Sequence, residues 1–421
     1  MMTEEEIDSV PAEFEPGERT RRGRRRRRGR RAVAIIAAMA LMTGGAWAGT
    51  RLLDGRGGSA GGARFAGAED GQTTMLFMIR QADDLTRRSD MLVVFALDAT
   101  GANPVALFLP SNTLTEIPGH GLDLAGRGYS FGGMPLQSIV VDNILGIALD
   151  RDAAMTDEVF GRLVDDAGGL DIDVEGTLLR DDGTGRNAAD FSPGSQHMDG
   201  EAVRRFLRFQ APDETELSRI ARARQVWEAL IDRWGKMGPG TLAQRFRSIG
   251  KEWNQGIETG LAPLDMAEFF SAFAAVKTDD RIYTTLPVSP VSAGGAEQAL
   301  QIDAGQTSDL VREYFAASMP ANPYRGTRIE ILNGNGVPQI GETIALKVVP
   351  KGFRIVLNRN ARAFDFPVTK IVVYSRDERS LGAARKIREL LGVGEIEVGL
   401  RVQTVVDVTI VVGHDFQPEG Q

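Results

Sequence analysis

The pattern of hydrophobic and polar positions from residue 73 onward predicts strands that alternate with helices. Strand-like runs cover Thr74–Arg80, Met91–Asp98, Val105–Leu109 and Leu170–Val174, and helical spacing covers Leu136–Leu149, Thr156–Ala167 and Glu216–Trp234. Such alternation is typical of an α/β domain with a central sheet flanked by helices. We expect this first domain to occupy residues 73–275.

A second, smaller α/β sandwich is predicted at residues 327–413. Its strands are expected at Arg328–Leu332, Phe353–Leu357, Thr369–Tyr374 and Val405–Val412, with helices at Ile340–Val349 and Arg379–Leu391. The intervening residues 276–326 are rich in proline and glycine and are interpreted as a connector. Residues 414–421 form a short tail.

The start of the chain has the pattern of a single membrane anchor. Residues 1–31 are first acidic and then arginine-rich, and residues 32–50 carry no charge. A basic block before an apolar run keeps the N-terminus in the cytoplasm. We therefore expect a cytoplasmic tail (1–31), a transmembrane helix (32–50), a linker (51–72) and an extracytoplasmic body at the cell membrane. The alternative is a cleaved export signal ending near Ala46-Trp47-Ala48.

Composition and charge exclude several kinds of site and partner. There is no cysteine, which excludes disulfide frameworks and thiolate metal sites, and the three histidines are widely scattered. The first 50 residues carry a net charge of +3 and the remainder −11, for a total of −8. A nucleic-acid binder is expected to carry basic charge on its folded body, so an acidic body opposes DNA or RNA as a partner.

Two features could bind phosphate groups. Arg219 and Arg222 lie three residues apart on a predicted helix, and their guanidinium groups could grip a pyrophosphate together. A solvated helix face with local ion pairs explains the same spacing. The second feature is the loop Asn333–Gly336, which could cradle a phosphate or serve only as a tight turn.

Several short motifs follow one another in a fixed order through residues 73–235. They are Ser89-Asp90-Met91-Leu92-Val93, Leu109-Pro110-x-x-Thr113 with Ile117-Pro118-Gly119, Tyr129-Ser130-Phe131-Gly132-Gly133, Leu163-Val164-Asp165-x-x-Gly168-Gly169-Leu170, Gly194-x-x-x-Met198-Asp199-Gly200-Glu201, Arg208, and Arg219-Ile220-x-Arg222. Together they resemble the LytR-CpsA-Psr family. The run from Ile329 to Val337 is similar to the LytR C-terminal domain.

The resemblance implies a membrane-anchored phosphotransferase on the outer face of the cell. Such a protein moves a glycopolymer from a polyprenyl-pyrophosphate carrier to peptidoglycan, and an apolar tunnel holds the lipid. By this resemblance Asp90 would hold Mg²⁺, and Arg208, Arg219 and Arg222 would be catalytic and would bind the pyrophosphate. Arg127 could replace a basic residue that the family usually has nearby.

Three positions depart from the family pattern. Ser111 and Asn112 stand where the family usually has Arg-Asp, and Gln210 stands where it has a second arginine. Each change removes a charge from the expected site, and loss of one preorganised donor can cost about 10²–10³ in rate. We therefore expect a divergent site with weak or lost catalysis. The alternatives are an active transferase with a rebuilt site, a non-catalytic module that binds lipid-linked polymer or peptidoglycan, and a partner of an active relative. A DNA-binding attenuator is the remaining alternative.

Overall fold

The computed structural model describes residues 71–82, 89–98, 103–181, 187–210, 214–249, 256–291, 299–399 and 405–417. The predicted cytoplasmic tail, membrane anchor and linker lie outside these residues. Within the described ranges, no helix combines the length and apolar character needed to cross a bilayer.

The first domain is built on a mixed sheet whose strands run in the order β11-β6-β1-β2-β3-β12. These strands are β1 (Gln72–Arg80), β2 (Ser89–Asp98), β3 (Val105–Leu109), β6 (Arg151–Thr156), β11 (Ile257–Thr259) and β12 (Ile282–Thr285). The central strand β1 is antiparallel to β2 and parallel to β6. The predicted strands at Thr74–Arg80, Met91–Asp98 and Val105–Leu109 are confirmed.

Short hairpins and helices surround this sheet. The hairpin strands are β4 (Leu114–Ile117), β5 (Gly121–Leu124), β7 (Leu170–Val174), β8 (Leu178–Asp181), β9 (Asn187–Phe191), β10 (Gly194–Met198), β13 (Val288–Pro290) and β14 (Leu300–Ile302). The helices are α1 (Gly128–Leu145), α2 (Asp157–Asp166), α3 (Gly200–Arg208), α4 (Glu216–Gly235), α5 (Pro239–Ser248), α6 (Pro263–Ala275) and α7 (Ala304–Tyr314).

The alternation of side chains along β1 produces two apolar layers, one on each face of the sheet. Phe77 faces the layer shared with α2 to α6, whereas Leu76 and Met78 face the layer shared with α1 and α7. On the first face, the Trp227 ring lies 4.8 Å from the ring of Phe77 and 5.0 Å from that of Phe95. Closely packed aromatic rings therefore fill the middle of this face.

Residues 276–326 do more than connect two domains. Their strand β12 pairs in parallel with β3 and extends the main sheet, and α7 packs against the layer on the α1 side. The first domain thus includes elements beyond residue 275. Proline and glycine around β12 suggested a connector, but the pairing partner of β12 lies far away in sequence.

The second domain has a five-stranded sheet in the order β16-β15-β19-β17-β18. Its elements are β15 (Arg328–Asn333), α8 (Ile340–Val348), β16 (Arg354–Asn360), β17 (Lys370–Val373), α9 (Glu378–Leu391), β18 (Glu395–Val398) and β19 (Val408–Val412). Both helices pack on one face, which confirms the predicted α/β sandwich.

The two domains are docked against each other. The Asn143 side chain on α1 donates to the carbonyl oxygen of Ile355 at 2.9 Å and accepts from the Ile355 amide at 2.8 Å, and both contacts are buried. Ile139, one turn earlier on α1, belongs to the apolar core of the second domain. The second domain is therefore seated on α1 through specific contacts.

Candidate functional site

A small cleft opens between the start of β2, the end of β3 and helices α3 and α4. Its polar lining consists of Asp90, Glu216 and Arg219, and apolar side chains that include Met91, Phe108 and Leu207 complete the wall. The cavity volume is about 20 Å³, which is room for roughly one water molecule. A prenyl chain would have to part these walls in order to enter.

Asp90 and Arg219 form the ion pair at the centre of the cleft. Arg219 Nη1 lies 2.8 Å from Asp90 Oδ1, and Arg219 Nη2 donates to the backbone oxygen of Asp90 at 2.7 Å. The Gln81 side chain donates to the other carboxylate oxygen at 3.1 Å. The guanidinium group is thus held in one orientation by the N-terminal end of β2.

Glu216 adds a second carboxylate to this pair. Its Oε1 accepts from Arg219 Nη2 at 3.1 Å and from the Ser111 hydroxyl at 3.4 Å. Burial raises the pKa of Glu216, the Arg219 charge opposes this rise, and the Asp90 charge adds to it. With both carboxylates ionised, the three side chains carry a net charge of −1. Sequence reasoning missed Glu216, although its position one turn before Arg219 could have signalled the contact.

Arg208 lies at the same end of the sheet, where it pairs with a different acidic residue, Asp157. Its Nη2 lies 2.6 Å from Asp157 Oδ2, which also accepts from Arg204 Nε at 3.1 Å. Asp157 Oδ1 accepts the backbone amide of Ala82 at 2.9 Å. Ala82 directly follows Gln81, whose side chain donates to Asp90. The two residues after β1 therefore contact both the Asp90–Arg219 pair and the Asp157–Arg208 pair.

Arg222 faces away from the cleft. It is buried, and it donates from Nε to the carbonyl oxygen of Phe206 at 3.0 Å and from Nη2 to that of Phe209, while Glu214 accepts from its guanidinium. These carbonyls belong to the C-terminal turn of α3, whose oxygens lack partners within the helix. The helical spacing placed Arg219 and Arg222 on one face, but α3 packs close enough to take the second arginine as its cap.

The remaining predicted residues lie around the cleft. Arg127 is about half exposed, pairs with Asp123 at 3.2 Å, and lies over the Phe131 ring at 5.2 Å. Ser111 and Asn112 are buried, with 1% and 8% exposure, whereas Gln210 is exposed at the end of α3. The structure therefore brings Asp90, Arg219 and Ser111 into one network and leaves Arg127 and Gln210 outside it.

The residues at the cleft fit a Mg²⁺ ion poorly as they are arranged. Within the described ranges, no group of three or more histidine or acidic side chains is placed to hold a metal ion. Both oxygens of Asp90 already accept hydrogen bonds, and an ion on Oδ1 would lie beside the Arg219 charge. The Mg²⁺ site at Asp90 stays a prediction.

The loop at residues 333–337 uses its polar groups internally. Asn333 accepts from the Gly336 amide at 2.9 Å and donates to the carbonyl oxygen of Val337 at 2.9 Å. The Asn335 side chain donates to the carbonyl oxygen of Gly413 at 3.1 Å. These bonds support the interpretation of the loop as a tight turn.

Comparison with proteins of known name gives several relatives of modest similarity. The chain is 26% identical over 203 residues to the polyisoprenyl-teichoic acid–peptidoglycan teichoic acid transferase TagV of Bacillus subtilis, covering 46% of this chain and 50% of the relative. It is 27% identical over 162 residues to the probable cell wall biosynthesis protein LcpB of Corynebacterium glutamicum, covering 38% of this chain and 37% of the relative. The chain thus spans half or less of the length of these curated relatives.

Solved structures were compared as well. The crystal structure of B. subtilis TagV covers 59% of this chain and 98% of its own, at 19% identity and a TM-score of 0.49. TagT bound to LI-WTA covers 62% of this chain and 94% of its own, at 18% identity and a TM-score of 0.48.

Family models match both domains. The model of the LytR cell envelope-related transcriptional attenuator, LytR_C, matches residues 326–416. The LytR_cpsA_psr model matches residues 64–313, which is more than half of the chain. The chain therefore belongs to the LytR_cpsA_psr family.

Proposed function

We propose that this protein attaches glycopolymers from polyprenyl-pyrophosphate carriers to peptidoglycan at the cell envelope. The observation that carries the proposal is the Asp90–Arg219 pair in a cleft of a domain that belongs to the LytR_cpsA_psr family. The names of the relatives in B. subtilis support the reaction class, since they describe transfer of teichoic acid to peptidoglycan. The partners would be the lipid-linked polymer, peptidoglycan and the membrane.

In this proposal the arginines hold the diphosphate of the carrier. Arg219 donates to the diphosphate from inside the cleft, and Arg208 donates to it from the end of α3. An acceptor hydroxyl of peptidoglycan attacks the phosphorus that bears the glycopolymer and gives up its proton to water. The bond from that phosphorus to the bridging oxygen breaks, and its electron pair stays on the prenyl phosphate oxygen. Prenyl monophosphate leaves. Phosphoryl transfer depends mainly on positioning and charge neutralisation. Because Arg219 is paired with Asp90 and Glu216, and Arg208 with Asp157, the diphosphate would have to displace these carboxylates in order to receive the arginine charges.

The membrane arrangement follows from the proposed substrate. We propose that residues 32–50 anchor the chain with its N-terminus in the cytoplasm, so that the described domains lie outside, where peptidoglycan is built. The apolar wall of the cleft, which includes Met91 and Leu207, would receive the first prenyl units after the walls part. Mg²⁺ remains a predicted cofactor, to be tested by turnover with and without the ion.

A non-catalytic binding module is the second candidate. Ser111 and Asn112 are buried next to the cleft and bring no charge to it, and Arg222 is committed to α3. A site with fewer charges than the family pattern could retain the carrier without transferring its polymer. Such a protein would bind a lipid-linked polymer or support an active relative.

Turnover of the full-length protein in detergent micelles separates these candidates. The assay supplies a prenyl-pyrophosphate-linked glycopolymer and peptidoglycan fragments and measures release of prenyl monophosphate. A transferase releases it, and Arg219→Ala should lower the rate by about 10²–10³. Arg312→Ala, which removes a largely exposed arginine of α7, is the control and should retain the wild-type rate. Equal rates for Arg219→Ala and wild type would refute the assigned site, and carrier binding without release would favour the binding module.

A further inference from the structure

The edge strand of the second domain is completed by side chains of the first domain. Strand β16 lies at one end of its sheet, so half of its backbone groups have no neighbouring strand. Asn143 satisfies both the amide and the carbonyl of Ile355, and the amide of Asn358 hydrogen-bonds to Glu116 on β4. Docking therefore buries these backbone groups with their hydrogen bonds made, which avoids the cost of burying them unpaired.

A second contact joins α8 to the turn between β4 and β5 and to the first turns of α1. A β-carbon placed on Gly132 would lie 2.9 Å from Glu342 Oε1, and one on Gly119 would lie 3.4 Å from the Glu342 amide nitrogen. Burial raises the pKa of Glu342, in agreement with a side chain that is enclosed at the seam. Glu342 therefore packs against the turn between β4 and β5 at Gly119 and against α1 at Gly132, where a β-carbon would crowd Leu136 as well as Glu342.

The same stretch of chain continues to the cleft. Gly126 donates to the carbonyl oxygen of Ser111 at 2.8 Å, and Ala125 donates to that of Thr113 at 2.7 Å. A β-carbon on Gly126 would lie 2.8 Å from the carbonyl oxygen of Ser89. Ser89 precedes Asp90, so packed contacts run without a gap from the second domain to the central acid of the cleft.

We propose that the second domain is a brace for the transferase site, holding residues 117–133 against the strand ends that carry Asp90 and Ser111. Glu342 of the second domain and Asn143 of the first domain are the positioning residues at this contact. The brace contributes no ligand of its own. The expected effect of the brace on pyrophosphate binding rests on the proposed function. The expected effect of the brace on the mobility of residues 117–133 does not depend on any ligand.

Hydrogen–deuterium exchange on the full-length protein tests the effect of the brace on mobility. Glu342→Ala removes the inserted side chain, and Asn143→Ser removes the amide that pairs with β16. In either variant, amides of residues 117–133 should exchange about tenfold faster or more, and amides near residues 89–91 and 111–113 should follow. The matched control is Glu378→Ala, which removes a largely exposed glutamate of α9 in the same domain and should leave these rates unchanged.

Pyrophosphate affinity tests the link to the cleft. Inorganic pyrophosphate should bind Glu342→Ala several-fold more weakly than wild type or Glu378→Ala, with unchanged circular dichroism. Unchanged exchange in both variants, or faster exchange that stops short of residues 89–91 and 111–113, would overturn the brace. A wild type that binds no pyrophosphate would instead count against the proposed function, and the exchange rates would still decide the brace.

Discussion

Protonation of Glu116 should make the stability of the docked protein depend on pH. Burial at the seam raises the pKa of this glutamate from 4.5 to about 7, and the hydrogen bond from the Asn358 amide opposes the rise. Because the folded pKa lies above the unfolded value, the folded state holds the proton more tightly. The favourable contribution is therefore complete below about pH 4.5 and is lost as the pH rises through about 7.

The magnitude follows from the shift. At about 1.36 kcal/mol per pKa unit, a rise from 4.5 to about 7 corresponds to at most about 3 kcal/mol. The Glu116 carboxyl group is only partly buried, so solvent screening should reduce this figure to about 1–2 kcal/mol. Glu116→Gln keeps an oxygen that can accept from the Asn358 amide and removes the titration.

Urea unfolding of wild type and Glu116→Gln at several pH values between about 5 and 8 measures the effect. Near pH 5 the two proteins should be nearly equally stable, and by pH 8 the variant should be more stable by about 1–2 kcal/mol. Comparison of the two proteins cancels other titrating groups, such as His120, and Glu378→Gln serves as an exposed control. A stability difference that stays constant across this range would refute the reasoning.

Three further changes test separate parts of the site. Arg222→Met should destabilise the protein by about 3 kcal/mol, because it removes the cation beside the mostly buried Glu214 and the donors to the carbonyl oxygens of Phe206 and Phe209. Pyrophosphate binding by the folded protein should persist, and loss of binding with unchanged urea stability would contradict the capping role. Gly126→Ala should lower the free energy of unfolding in urea by about 1–3 kcal/mol, because the new β-carbon would lie 2.8 Å from the Ser89 carbonyl oxygen. Full wild-type stability would argue against this close contact. Asn112→Asp should raise transferase turnover only when Mg²⁺ is present, if the missing metal-binding carboxylate limits the rate, because a carboxylate beside a diphosphate helps only through a bound cation. An unchanged rate with Mg²⁺ would count against that explanation.

Local patterns predicted β1, β2 and β3 of the main sheet, β15, β16, β17 and β19 of the second sheet, and the helices α1, α2, α4, α8 and α9. Strands such as β2 and β3 are continuous apolar runs, and buried strands give that signal wherever they lie in the chain. The sequence analysis missed β6, although it pairs directly with the central strand. Its sequence, Arg-Asp-Ala-Ala-Met-Thr, begins with charges and contains small residues, so its place in the sheet depends on the neighbouring strand rather than on its own pattern.

The site could be predicted only in part for a similar reason. The motifs identified Asp90 and Arg219, which form the central ion pair. Spacing on a helix indicates which side chains share a face, but it carries no information about which helix packs there. Arg222 therefore appeared equivalent to Arg219 until the packing of α3 placed unpaired carbonyls beside it. Asp157, which holds Arg208, lies about 50 residues before it and has no local signal.

The side-chain completion of β16 has a consequence for the second domain in isolation. A fragment of residues 326–416 would lack Asn143 and Glu116 and would present the open edge of β16 to solvent. Open edges recruit strands from other molecules, so such a fragment should self-associate at high concentration where the whole chain does not. Its size in solution would then reflect an edge of β16 that Asn143 and Glu116 cover in the intact protein.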